Sequence, residues 1–394
     1  MTPLTQTFFR NADKKRQKGF TVLNKSIGSL SKQHIQLASE VFSCTRFDPI
    51  SGNWVLYSPN RTQRPSDYPR TDPSSSRKDS CPFCVGQESS TPPAIWVGKK
   101  TNTGFSYLHR HSDEPHINDE GWLVRVFANL FPAVSGTEPS RAIAHYPNTD
   151  LQISAVGSHE VIVDTRAHSN RMSDVTIDES QLVYRAIHHR LMTLGAERSI
   201  QYISVFKNSG GSAGASLEHS HWQLLGTNFV PSYVTQTLDR MQQYERHHGT
   251  CLVCSLTNTE VSQKKRIVLR SNLLTAYCPF ASEFPMQVRI TPNLHTPDFT
   301  SSTEKILDEC AIFTRKLILI LQDIYPDASY NLILSNLPPK TSSAFSAFHW
   351  TIDLCPRLSN FAGFEIATRN MINCVMPENA ATLYRGGLKK LSTR

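Results

Sequence analysis

The chain has 394 residues, 39% of them hydrophobic and 19% charged, which fits a soluble globular protein of two domains and excludes a disordered or fibrous one. No apolar run approaches the length of a bilayer span, and the start "MTPLTQTFFRNADKKRQKG" lacks the apolar core of a secretory signal, so a cytoplasmic enzyme or binding protein is expected. The formal charge of +8 suits an anionic partner, but Lys and Arg are spread along the chain, so a phosphate-bearing metabolite fits as well as a polymer and nucleic acid is not expected.

Residues 1–40 form a basic, polar extension. A compact pattern then begins at "RFDPISGNWVLYSPNRTQRP", where "NWVLYS" reads as a strand and "PNRTQRP" as a loop carrying Arg61 and Arg64. A Pro/Ser-rich connector leads into "CPFC", read as an exposed turn, and "WLVRVFANLFPAV" and "HEVIVDTRAHS" are further strands. From Glu179, the spacing of Leu182, Val183, Ala186, Ile187 and Leu191 predicts a helix that stops near Gly195. The strand "SIQYISVFKN" follows, and the loop "GGSAGAS" joins it to "HSHWQ".

A second pass repeats the order of signals. "CLVC" comes first, then the strand-like "RIVLRSNLLTAYCPF" and "FPMQVRITPNLH", a helix over 303–324, and the strands "SYNLILSN" and "FHWTIDLCP". The expected architecture is therefore α+β, a diverged pseudo-repeat in which each half is an antiparallel sheet with packed helices, with domains at 41–240 and 241–394. The junction "QTLDRMQQYERHHGT" is itself expected to be helical.

Four of the nine cysteines fall in two CxxC pairs, Cys81/Cys84 and Cys251/Cys254. One such pair is a weak signal, and His168 or His295 taken singly reads as a surface histidine. The repeat alters this, because Cys81, Cys84, His168 and His219 in the first half are answered by Cys251, Cys254, His295 and His349 in the second. Each set offers the tetrahedral thiolate and imidazole ligands of a closed zinc site, so two Zn2+ ions per chain are expected. His188, His189, His247 and His248 read as structural or solvated.

The motifs "DPISGNWVLYSPNRTQRP", "CPFC", "NLFPA", "FKNSGGSAGAS" and "HSHWQ" together resemble the galactose-1-phosphate uridylyltransferase family of the histidine-triad superfamily. The paired CxxC motifs and "PRLSNFAGFEIATRNMINCVMPENAA" are more similar to its ADP-sugar phosphorylase branch, and the resemblance runs from Arg46 to about Arg385. It implies two histidine-triad-like domains and transfer of a nucleoside monophosphate from a nucleotide sugar to phosphate or a sugar 1-phosphate. It further implies His219 as metal ligand, His221 as the nucleophile that carries the nucleotide, and Gln223 as a donor to a phosphoryl oxygen. Asn208, Gly214 and Ser216 match phosphate-loop positions, and Arg61, Arg64, Asn129 and Phe131 match positions around the nucleotide or its sugar-phosphate partner. A homodimer is compatible with this reading.

Independent chemistry agrees. A neutral imidazole attacks phosphorus without prior deprotonation if its tautomer is set, and a covalent intermediate divides a displacement between two anions into two steps. As a strand, "HSHWQ" puts His219, His221 and Gln223 on one face, and the preceding loop offers small side chains and backbone N–H groups for phosphate oxygens. Trp222, Glu218 and Arg369 depart from the family pattern, and Thr351 stands where a second nucleophile would, so one catalytic centre and one structural copy are expected. Two other readings stay open here: a dinucleoside polyphosphate phosphorylase or hydrolase, and a catalytically inert, zinc-containing nucleotide-binding protein.

Overall fold

The structure is a computed structural model and describes residues 43–59, 61, 81–109, 120–136, 142–145, 151–342 and 345–393; the extension 1–40 and Arg64 lie outside them. The first half supplies β1 (Cys44–Phe47), β2 (Trp54–Tyr57), β3 (Ala94–Thr101), β4 (Gly104–His109), β5 (Val124–Ala128), β6 (Ala142–His145), β7 (Leu151–Ile153) and β8 (Gly157–Val163). Helix α1 (Ile177–Ala196), β9 (Tyr202–Ser209), β10 (His221–Thr227) and α2 (Ser232–His248) complete it. The second half comprises α3 (Leu252–Gln263), β11 (Ile267–Arg270), β12 (Leu274–Tyr277), β13 (Val288–Pro292), α4 (Glu304–Ile324), β14 (Tyr330–Ser335) and β15 (Thr351–Pro356). It closes with α5 (Gly363–Thr368), β16 (Met371–Asn373) and α6 (Pro377–Leu391).

Eleven of these strands form one sheet in the order β11-β12-β13-β15-β14-β9-β10-β8-β5-β3-β4. All its pairings are antiparallel. The order exposes the repeat. Outward from the central pair run β10, β8 and β5 on one side and β15, β13 and β12 on the other. At the centre Phe206 faces Ile333, and the flanking pairs Val205/Leu334 and Lys207/Leu332 exchange about it. The two halves thus continue one another through backbone hydrogen bonds.

Period-two alternation sets which face of the sheet is covered. On β9, Ile203, Val205, Lys207 and Ser209 are buried while the residues between them are half-exposed. Helices α1 and α4 lie over the buried face, where Leu182, Val183, Ala186, Ile187 and Leu191 share one core with Leu307, Ala311, Leu317, Ile318 and Leu321. The apolar spacing that predicted α1 thus marks the stripe it buries. Helix α1 starts at a capping box: Thr176 Oγ1 accepts the Glu179 N–H at 3.2 Å, and the Glu179 carboxylate accepts the Thr176 N–H at 2.7 Å. Among the described residues no helix is long and apolar enough to cross a membrane.

Several elements carry no signal in the sequence reading above: the β3–β4 hairpin, the short β1 and β16, and helices α5 and α6. Strand β4 is the edge of the large sheet, paired with β3 alone, so only one neighbour demands a pattern of it.

Candidate active site and metal clusters

The structure gathers both sets of cysteines and histidines. In each set the ligand atoms lie within 4.8 Å of one another. In the first cluster Cys84 Sγ stands 3.3 Å from His168 Nδ1, and both cysteine sulfurs stand 3.7 Å from His219 Nδ1. A zinc tetrahedron would set sulfur and nitrogen about 3.6 Å apart, so this spacing fits. The tautomer fits too: His219 Nε2–H donates to the Thr165 carbonyl at 2.8 Å, which leaves the Nδ1 lone pair facing the sulfurs. Burial holds the His219 pKa below its ordinary value, which favours the neutral ligand form. In the second cluster Cys254 Sγ lies 3.4 Å from His295 Nδ1 and 3.3 Å from His349 Nδ1, with Cys251 Sγ at 4.0 Å from the latter.

The CPFC turn is not exposed, contrary to its polar approach. Cys81 and Phe83 are buried, because the Phe83 ring packs against Phe127 and edge-on to His221, with centroids 5.6 and 5.3 Å apart. Glu218, which departs from the family pattern, has a place: its carboxylate lies 4.0 Å from His168 Nε2, on the side of the ring away from the sulfurs. The first ligand pair is also tied to α1, since Glu179 Oε1 accepts from Thr165 Oγ1 at 2.9 Å and Thr165 holds His219.

His221 opens β10 and is 5% exposed. Its Nδ1–H donates to the His219 carbonyl at 2.8 Å, so the lone pair resides on Nε2. Burial lowers its pKa from the usual 6.5, against the opposing pull of that hydrogen bond and of Asp164. The ring is therefore neutral near pH 7, as a nucleophile must be, and the carbonyl is placed to share the positive charge that attack would create. On the opposite face Ser220 Oγ donates to Asp164 at 2.9 Å, and Lys207 Nζ bonds both groups. Trp222 packs on that face against Tyr184 of α1, ring centroids 6.0 Å apart. The tryptophan thus braces the strand from behind.

Gln223 shares the face of His221. Its Oε1 accepts from His159 Nε2 at 2.9 Å, which turns its NH2 group the other way. Asn208, at the end of β9, falls opposite His221 when the β9–β10 register is continued by one residue. Asn331 Nδ2, from the second half, donates to Asn208 Oδ1 at 2.8 Å and to the Ala213 carbonyl at 2.9 Å. His159, Phe83 and Asn331 are therefore site residues that sequence reading missed. Only the alternation of "SHEVIV" would have put His159 on the Gln223 face.

The glycine-rich loop is a tight 3-10 turn over Gly211–Ala213, and Gly214 follows in the left-handed region at φ +83°. A side chain on Gly210 would come within 2.2 Å of Ser329 Oγ, so that position requires glycine. One expectation changes here. The Ala213, Gly214 and Ala215 N–H groups close on the carbonyls of Gly210 and Gly211, so they are engaged within the loop. Gly214 and Ser216 are exposed on its outer side.

The remaining predicted residues fall in two places. Asn129 Oδ1 caps the Phe131 N–H at 2.9 Å, and Asn129 Nδ2 stands 3.3 Å from His159 Nε2, so this loop adjoins Gln223; Phe131 is 84% exposed. Arg61 is exposed and lies four residues past β2, where its charge acts on Cys374, the residue after β16. Arg369 is the exposed, left-handed C-cap of α5.

At the matching place in the second half, Thr351 Oγ1 donates to Asp353 at 3.2 Å and Arg289 Nε donates to the same carboxylate at 3.0 Å. Thr351 and Asp353 thus stand where the first half has His221 and Gln223, and Asp353 is held in an ion pair by Arg289. Nearby Glu283 is pushed up to about 7 by burial, reinforced by Asp48 and Asp353 and opposed by Asn53 and Arg289. A raised carboxyl pKa stabilises the fold fully below its unfolded value near 4.5 and loses that contribution as pH climbs through 7. Glu283→Gln is accordingly expected to stabilise the protein at pH 8 by on the order of 2 kcal/mol, with no gain at pH 4. Thermal melts across pH 4–8 check it; an equal effect at all pH values would refute the assignment.

Residues 116–231 match the model of the galactose-1-phosphate uridyl transferase N-terminal domain. ADP-glucose phosphorylase of Arabidopsis thaliana is 31% identical over 344 residues, 86% of this chain and 92% of that protein. The chain belongs to the galactose-1-phosphate uridylyltransferase family. Within it the similarity places the chain in the ADP-glucose phosphorylase branch. The crystal structure of the Arabidopsis phosphorylase with bound ADP-glucose superposes with a TM-score of 0.70 at 28% identity, covering 87% of this chain and 99% of that one. The galactose-1-phosphate uridylyltransferase of Thermotoga maritima is 23% identical over 350 residues, 86% of this chain and 97% of that protein. As a member of this family, the protein is an enzyme of the nucleotidyltransferase class.

Proposed function

We propose that this enzyme removes the adenylyl group of an ADP-sugar in two steps through His221 and passes it to orthophosphate. In the first, Nε2 attacks the α-phosphorus, the α–β bridging P–O bond breaks, and the sugar 1-phosphate leaves. In the second, phosphate attacks the same phosphorus, the N–P bond breaks, and ADP is released. The observation that carries the reading is the His221 Nδ1–H bond to the His219 carbonyl, which fixes the nucleophilic tautomer. The similarity to ADP-glucose phosphorylase favours the adenylyl donor and phosphate as acceptor over a uridylyl donor and a sugar 1-phosphate.

Residues 41–240 would then be the catalytic half and 241–394 its structural copy, with the substrate bounded by Asn129, Phe131, Asn208, Gly214 and Ser216. Arg61 and Arg64 are proposed to bind the sugar-phosphate partner, in an assembly we take to be a homodimer. The thiolate and imidazole donor sets favour zinc, one ion in each cluster, held by Cys81, Cys84, His168 and His219 and by Cys251, Cys254, His295 and His349. Zinc there would cross-link distant turns, the first of them to the segment that carries His221.

A panel of ADP-, UDP- and GDP-sugars assayed with orthophosphate tests the reading. Turnover of ADP-glucose is expected; exclusive turnover of a UDP-sugar would reverse the base, and turnover of dinucleoside polyphosphates alone would overturn the substrate class. Gln223→Ala is expected to retain the nucleophile and slow kcat by about 10²–10³, the usual loss of one donor aimed at developing charge. An unchanged kcat in single-turnover assays would remove Gln223 from the site.

A further inference from the structure

Both halves contain the same three-member hydrogen-bond relay. In the first half the Ala133 N–H, in the loop after β5, donates to His159 Nδ1 at 3.2 Å, and His159 Nε2 contacts Gln223 Oε1 at 2.9 Å. In the second half the Glu283 N–H, in the loop after β12, donates to Gln287 Oε1 at 2.8 Å, and Gln287 Nε2 donates to Asp353 Oδ1 at 3.3 Å. The strand registers make these positions equivalent. Gln223 pairs with Val161 and Asp353 with Arg289, and His159 and Gln287 each lie two residues before that partner, on the same face.

The backbone contact sets the polarity in the first half. A backbone N–H can only donate, so His159 Nδ1 accepts and the ring proton sits on Nε2. Two groups face that nitrogen: the Asn129 NH2, a donor 3.3 Å away that cannot take the proton, and Gln223 at the shorter 2.9 Å, whose atom beside it is therefore the carbonyl oxygen. The Gln223 NH2 group is then the end presented away from His159.

We propose that His159 is a positioning residue that locks the Gln223 amide in its donor-outward orientation; this rests on the role of Gln223 in the proposed function. Nonbridging phosphoryl oxygens only accept hydrogen bonds, so an amide turned the other way would set its carbonyl against the substrate's negative charge. An unrestrained glutamine samples both orientations. A fixed one contributes its donor without reorganisation at the moment of transfer. In the inert half the same geometry ends on a carboxylate already held by Arg289, so there the relay serves packing alone.

The test is a double-mutant cycle read by kcat and KM with ADP-glucose and orthophosphate, with metal content and melting temperature recorded for every variant. His159→Leu is expected to lower kcat by about 10–100-fold, less than the loss of the donor itself, with a smaller change in KM. His159→Gln should restore kcat to within about threefold of wild type, since Gln287 shows that a glutamine at this register accepts from the loop and donates to the next strand. In the Gln223→Ala background His159→Leu should cost nothing further, because the group it orients is gone. If the leucine variant does not fold, His159→Asn, too short to span both partners, takes its place in the cycle.

Wild-type kcat in the leucine or asparagine variant, a loss in His159→Gln as large as in His159→Leu, or losses that add in the double variant would each overturn the proposal. An unimpaired Gln223→Ala protein would instead overturn the role given to Gln223, and absence of any turnover of ADP-glucose by wild type would overturn the substrate.

Discussion

His221→Asn is expected to abolish turnover and the covalent intermediate together. Wild-type protein mixed with ADP-glucose labelled in the α-phosphate, without acceptor, should keep one label per active site through alkaline denaturation, and the asparagine variant none. The loss in kcat should be at least about 10⁴-fold, as when a nucleophile rather than a supporting group is removed. The fold should survive, because an asparagine amide can still donate to the His219 carbonyl, and His221 supplies no atom to the metal cluster. Unchanged metal content beside lost labelling separates chemistry from structure. Equal turnover by the two proteins would falsify the assignment of the nucleophile.

The second large effect is expected at the neighbouring histidine and has the opposite signature. His219→Asn removes a ligand atom whose ring is fully buried between the cysteine sulfurs and the Thr165 carbonyl. Metal content should fall by one ion per chain and the melting temperature by on the order of 10 °C, since binding energy at a structural site is folding energy. Activity should follow, because the His219 carbonyl also orients His221 and its segment would no longer be pinned to the CPFC turn. Cys251→Ser supplies the control: one ion lost from the second cluster, with stability lowered and labelling of His221 retained. A His219→Asn protein that melts like wild type with its full metal content would show that the first cluster is held by other groups.

The labelled intermediate is the measurement that separates chemistry at His221 from nucleotide binding, because binding alone leaves no label after denaturation.

What the sequence alone determined is local and periodic. Spacing of 3.6 residues marked α1, alternation put His219, His221 and Gln223 on one face of β10, and the order CxxC, His, helix, strand, His marked a repeat and both ligand sets. The motif resemblance supplied the roles of His221 and Gln223, and the family assignment bears out the resemblance itself.

Tertiary structure decided what joins positions far apart in the chain. Asn331 reaches Asn208 across 123 residues, His159 reaches Gln223 across 64, and the central pairing of β9 with β14 makes the two halves one sheet. The buried CPFC turn and the loop N–H groups turned inward belong to the same class. None of these has a sequence period, because the partner of a polar group is set by which strands become neighbours and in what register. Local pattern says which face a residue takes, while the pairing of faces, and hence the tautomer of His159 and the direction of the Gln223 amide, exists only once the chain has closed on itself.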